Sequence, residues 1–177
     1  MFFIPGIAIT LLTFPGVIVH ELAHQLFCRW FKVPVFKVVY FQPKNPAGYV
    51  LHEVPQHKWQ TIMISVGPFF INTILGALIA MPAALPVFRF NNGNFGDYLL
   101  IYLGVSIAMH AFPSTGDAQS IIKALKEQST PWWVRIIGWP VVGLIYVGSL
   151  GSFFWLDLIY GMAIAAGIPN LILWLMR

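Results

Sequence analysis

The sequence predicts a mainly α-helical, multi-pass membrane bundle of about five spans with a small cytoplasmic-side β-hairpin. Three observations lead there. Hydrophobic residues make up 58% of the 177 and charged residues only 9%, against about a quarter charged in a soluble domain. Mean hydropathy is +0.76. A chain of this kind lacks the polar side chains to cover a water-facing surface, so lipid must face much of it. The apolar residues also gather in five long stretches, with the basic residues spaced unevenly between them.

The first stretch runs from about Phe2 to Phe27, with Pro5 and Pro15 expected to kink or split it. It lacks the positive n-region of a cleaved signal peptide and is read as retained helix. The segment Val33 to Val54 is not a membrane helix. FKVVYF has strand propensity, QPKNPAG supplies turn residues and YVLHEV resumes an extended pattern. The second span is expected from about Trp59 to Leu85. The third, Tyr98 to Phe112, is short, so it begins earlier or tilts little. Ser114 to Gln128 reads as an amphipathic helix with Ser114 or Thr115 as N-cap and Lys123 and Lys126 on its polar face. The last two spans share Trp132 to Met176, with Gly148 to Ser152 as the expected turn. Trp132 and Trp133 suit interfacial anchoring, and the glycines at 138, 143, 148 and 151 suit close helix approach. No repeat or second domain is visible, so residues 1–177 read as one membrane-embedded domain. Its core covers about 14–125, with accessory helices at 131–177.

The basic residues orient this layout. Arg29, Lys32, Lys37, Lys44 and Lys58 follow the first span and Arg89 the second. Lys123, Lys126 and Arg135 follow the third, none lies near residue 150, and Arg177 ends the chain. Positively charged loops stay inside, which puts the N-terminus outside and the C-terminus in the cytoplasm of a cell-membrane protein. With four spans the alternation would break near the end. The net charge of +4 is explained by these anchors. No lysine-rich run or nucleic-acid module is present, so nucleic acid is not an expected partner. Cys28 stands alone, which excludes an internal disulfide.

Chemistry enters at His20-Glu21-Leu22-Ala23-His24, inside the first apolar stretch. Positions i and i+4 stack on one face of a helix, so both imidazoles can reach one metal, and Glu21 lies beside them as a general base toward water. A glutamate and two histidines in a lipid-spanning helix cost several kcal/mol unless satisfied. One cation satisfies all three. The residue types favour zinc, which usually takes three protein ligands in a catalytic site. Candidates for the third are His52, Glu53, His57, His110, Asp117 and Asp157. Asp117 is preferred, because it follows the third span at a depth similar to His20 and His24. Asp157 is expected in the outer half of the last span, where depth argues against it. Asp117 could otherwise serve only as a first-turn helix acid.

Four segments carry a resemblance to the site-2 protease family of intramembrane zinc metalloproteases, over roughly residues 14 to 125. FPGVIVHELAHQL resembles the family's zinc-motif helix, and NPAGYV its glycine-containing strand segment. VGPFFIN resembles its Gly-Pro-x-x-x-Asn stretch, and FPSTGDAQ stands where the family's third ligand lies. The resemblance implies one zinc ion on His20, His24 and Asp117, with Glu21 as base. It also implies cleavage of transmembrane or membrane-associated protein substrates within the bilayer. The family's third motif usually reads Asn-x-x-Pro and then Leu-Asp-Gly, whereas this chain has MHAFPSTGDA. His110 takes the place of the missing asparagine, as a candidate for oxyanion stabilisation or substrate orientation. Asn72 either joins it there or ties helices together. A free strand edge within Val35 to Leu51 is a candidate for holding an unwound substrate. The contrasting reading is a non-catalytic metal-binding scaffold or transporter component, against which the presence of Glu21 argues.

Overall fold

The computed structural model describes residues 6–175. The ends of the first and last apolar stretches, at 1–5 and 176–177, lie outside the described residues. Its helices are α1 (Gly6–Leu12), α2 (Phe14–Trp30), α3 (Lys58–Ala84), α4 (Phe95–Met109), α5 (Thr115–Lys126), α6 (Trp132–Ser152), α7 (Leu156–Met162) and α8 (Ile168–Leu175). Strands β1 (Val35–Val39) and β2 (Tyr49–His52) form the expected hairpin. Single π-helical segments at Leu85–Arg89 and Ala163–Gly167 extend α3 and join α7 to α8.

The first apolar stretch is split near Pro15, as expected; Pro5 lies outside the described residues. Thr13 interrupts it, and Pro15 then sits in the first turn of α2, where its missing N–H would lack a partner anyway. At the other end, Lys32 turns left-handed with φ 57°. Its N–H donates to the Arg29 carbonyl and the Val33 N–H to the Cys28 carbonyl, both orphans of the last turn. The chain so reversed enters β1, which pairs antiparallel with β2 from Val35–His52 to Val39–Tyr49, with an irregularity between Val35 and Lys37.

α3 is the central helix. α2, α4 and α5 all pack on it, and α4 continued by α5 runs antiparallel along its length. The approach of α3 to α4 depends on two glycines. A Cβ on Gly76 would lie 2.8 Å from the Gly104 carbonyl oxygen, and one on Gly104 would lie 2.7 Å from that of Gly76. Backbones in such contact gain dispersion energy that larger side chains would prevent. Around the first half of α3, Ile62, Ile121, Leu125, Val134, Val142 and Ile145 form a buried cluster joining α3, α5 and α6. α4 begins at Phe95, earlier than the apolar run, because Asn94 caps it in a reciprocal capping box with Asp97.

The end of the chain departs from expectation. Gly148 to Ser152 is helical, and the break falls at residues 153–155, where Trp155 has φ 62°. The glycines there serve packing rather than turning: Gly148 faces Phe112 and Gly151 faces Leu156. Gly138 faces Leu125, but Gly143 has open space around it, so its expected packing role is not met. The last two helical stretches also do not form the expected antiparallel pair. α6 runs back along α5, from Leu125 beside Gly138 to Phe112 beside Gly148. α7 then continues along α4, with Gly161 against Val105 and Met109. Of the five expected spans, Lys58–Arg89 and Trp132–Ser152 are, among the described residues, the two helices long and apolar enough to cross a membrane.

Candidate metal centre

α2 presents His20 and His24 one turn apart on its buried face, with Glu21 beside them. Each imidazole is oriented by a neighbouring helix. The His20 Nδ1–H donates to the His110 carbonyl at 2.7 Å, and the His24 Nδ1–H to the Ile64 carbonyl at 2.8 Å. A carbonyl only accepts, so both Nδ1 atoms carry the hydrogen. In the neutral rings both Nε2 atoms therefore hold lone pairs, and these face each other at 3.1 Å.

The third group arrives on α5. Ser114 caps that helix, and Asp117 completes a reciprocal capping box. The Asp117 Oδ2 accepts from the Ser114 N–H at 2.8 Å and from its hydroxyl at 2.6 Å. Its Oδ1 is left to face His24 Nε2 at 3.4 Å. One oxygen thus serves the helix cap, and the other is left on the side of the two histidines, where a metal ligand would be needed. The ligand atoms of His20, His24 and Asp117 all lie within 4.8 Å of one another. Three acceptors converge with no donor between them, an arrangement that repels itself until a cation enters. The donor set of two imidazoles and one carboxylate suits zinc, and tetrahedral bonds of about 2.0–2.1 Å would separate ligand atoms by roughly 3.3–3.4 Å. These residues fit the ion. His52, Glu53 and His57 lie apart from the cluster: His52 bonds to the Glu53 carbonyl, and His57 is the N-cap of α3.

Glu21 is 7% exposed and receives no hydrogen bond among the described residues. Its side chain lies against Gly48, just before β2, where an added Cβ would stand 2.6 Å from the Glu21 Cγ. The absence of a side chain at 48 lets the hairpin close over the acid. The sequence marks this glycine only through the NPAGYV segment, and nothing local reveals its partner.

Asn72 and His110 are placed differently from the three ligands. The Asn72 amide is fully buried, and its Nδ2 lies within 3.3 Å of the Gly16, Ile107 and His110 carbonyls, joining α2 and α4 to α3. Its Oδ1 is buried without a partner. The His110 ring bonds through Nε2 to the Thr13 hydroxyl at 2.8 Å. Thr13 gives its own hydrogen to the Ile9 carbonyl, so the His110 Nε2–H is the donor. The group that His110 offers the metal cluster is its main-chain carbonyl.

The metal cluster, Glu21 and His110 border one cavity of about 630 Å³, whereas Asn72 lies outside its lining. Glu21, the two histidines and Asp117 line it. So do residues 45–50, the Thr61 and Ser65 side of α3, and Ser149, Ser152 and Asp157 from the α6–α7 junction. Asp157 is not among the converging ligand atoms, but it lines the same cavity, so its expected place in an outer half-span is corrected. The break at Trp155 starts α7 beside the end of α4, at the level of the cluster, rather than in an outer half-span.

A family model described as "Putative zincin peptidase" matches residues 13–130. That stretch is two thirds of the chain and holds His20, Glu21, His24, Gly48, Asn72 and Asp117. No curated protein and no solved structure matches the chain.

Proposed function

This chain belongs to that family of zincin peptidases, and from this premise we propose that it is an intramembrane zinc metalloprotease of the site-2 protease type. The observation that carries the reading is the convergence of His20, His24 and Asp117 beside a buried Glu21 whose carboxylate meets no hydrogen-bond donor among the described residues. His20, His24 and Asp117 would hold the ion, which when bound supplies Lewis-acid polarisation of a peptide carbonyl. Glu21 takes a proton from water in the cavity and returns it to the leaving amine. The His110 and Ile64 carbonyls and the Ser114 cap keep the three ligands aimed. Asn72 and the His110 main chain act as positioning groups rather than as groups that touch the substrate. β2 borders the cavity, so its edge is the proposed place for an extended peptide.

Membrane residence is supported by the two long apolar helices and by large apolar side chains on the outer face of α6. Leu144 is 70% exposed and Leu150 71%. The basic group from Arg29 to Lys58 marks the cytoplasmic side, which leaves the N-terminus outside. The course of α6 and α7 along successive parts of α5 and α4 supports four crossings and an external C-terminus, in place of the cytoplasmic one that five crossings would give. The substrates are the transmembrane segments of other proteins.

The test is Glu21→Gln in the full chain. Zinc content is expected to stay at one per chain. Cleavage of a reporter transmembrane peptide should fall by about 100-fold or more. Zinc bound by a wild type that cleaves no such peptide would sink the proposal in favour of a metal-binding scaffold.

A further inference from the structure

The cavity contains an acidic side chain that the hydrolytic reading does not use. Its lining includes three carboxylates, Glu21, Asp117 and Asp157, and not one lysine or arginine, although the chain carries ten. Glu21 and Asp117 have roles already. Asp157 accepts from the Leu158 N–H at 2.9 Å and from the Ser152 hydroxyl, and has no cationic partner among the described residues. It is half-buried in the first turn of α7. Ser149 and Ser152, three residues apart near the end of α6, line the same wall. This wall is built entirely beyond residue 130, outside the stretch matched by the family model.

A half-buried carboxylate beside the Ser152 hydroxyl, in an acidic cavity that Ser149 also lines, attracts a cation. Hydroxyls can hydrogen-bond an ammonium or guanidinium group, but they cannot balance its charge, and the carboxylate can. Membrane-spanning segments carry lysine and arginine at their ends, so substrates of the proposed kind bring such a group with them. We infer that Asp157, flanked by Ser149 and Ser152, is a specificity-determining subsite for a basic side chain of the substrate. The inference rests on the peptidase reading.

The experiment uses the zinc-loaded full chain in detergent micelles and N-acetylated transmembrane reporter peptides, so that no free α-amine competes. One position at a time, scanned across the cut, carries Lys, Arg, Gln or Glu. At one position Lys and Arg should exceed Gln by about tenfold in kcat/KM, the scale of a charge-assisted hydrogen bond. The readout is the ratio within each variant. Asp157→Asn should bring the Lys-to-Gln ratio close to one, and Asp157→Lys should favour Glu. If the second variant fails to fold, as judged by its Tm, the isosteric Asn variant decides. A Lys preference that survives in Asp157→Asn, or no preference at any position, overturns the subsite. A parallel arm measures binding of the same peptides to Glu21→Gln. Charge-selective binding that depends on Asp157, without cleavage by the wild type, would uphold the subsite and remove the peptidase reading. Cleavage without charge selection would do the reverse.

Discussion

The Nε2 atoms of His20 and His24 stand 3.1 Å apart while each Nδ1 is held by a main-chain carbonyl of another helix. Rings fixed in this way cannot turn a hydrogen toward each other. The pair is therefore poised for a cation, with the Asp117 Oδ1 as the third side. The purified protein should carry one zinc per chain by elemental analysis. Asp117→Ala should weaken zinc binding by more than about 100-fold, beyond the 10–100-fold that loss of a supporting group costs. Chelation should lower Tm by about 5 °C or more, since a ligand at a hundred times its Kd adds about 2.7 kcal/mol. An unchanged Tm with the metal removed would count against the site.

Gly48→Ala tests the closure of the hairpin over the base. Its Cβ would stand 2.6 Å from the Glu21 Cγ, so either the acid or the strand must move by several tenths of an ångström. Peptide cleavage should drop by about tenfold or more, because small misplacements of a reacting group are costly. Zinc content should hold. Full activity in this variant would show that the hairpin yields freely.

Asn72→Ala removes an amide shared among three carbonyls of two other helices. Leaving those buried acceptors short should cost about 1–3 kcal/mol, read as a lower Tm. Zinc affinity should fall with it, by about tenfold, because one of the three carbonyls also orients His20. A drop in stability with zinc affinity intact would separate the two functions.

Ser114→Ala removes the hydroxyl that donates to Asp117 Oδ2 and accepts from its N–H. The loss of the cap should cost about 1 kcal/mol. Zinc should bind about tenfold more weakly, as expected when a supporting partner of a ligand is lost. Ser114→Thr should restore both. Failure of the threonine to rescue would argue that the hydroxyl is not the operative group.

Much of the site was legible in the sequence, and the unread parts have a common cause. His20, Glu21 and His24 follow from helical spacing alone, and Asp117 from its place after the third apolar stretch. The capping box of α5 was half-visible, as a serine ahead of an acid. The partners of the imidazoles were invisible, because the carbonyls of His110 and Ile64 belong to the main chain and every residue has one. His110 drew notice for its side chain; that ring bonds to Thr13, and the residue also lines the cavity. Asp157 was misplaced because Gly-Ser-Leu-Gly-Ser looks like a turn by propensity. Packing of Gly148 on Phe112 keeps it helical and moves the break to Trp155. Local preference was overruled there by a contact with a residue 36 positions earlier.

Because the acceptor for His20 is the carbonyl of the residue that caps the C-terminus of α4, it comes from a helix terminus that must leave such oxygens unclaimed in any case. Position 110 can therefore drift, or be redesigned, without depriving His20 of its anchor, provided α4 still stops at the same residue. The aim of this histidine is written into where a neighbouring helix ends, and a shift of that endpoint by one residue would misalign it more surely than most exchanges of the side chain there.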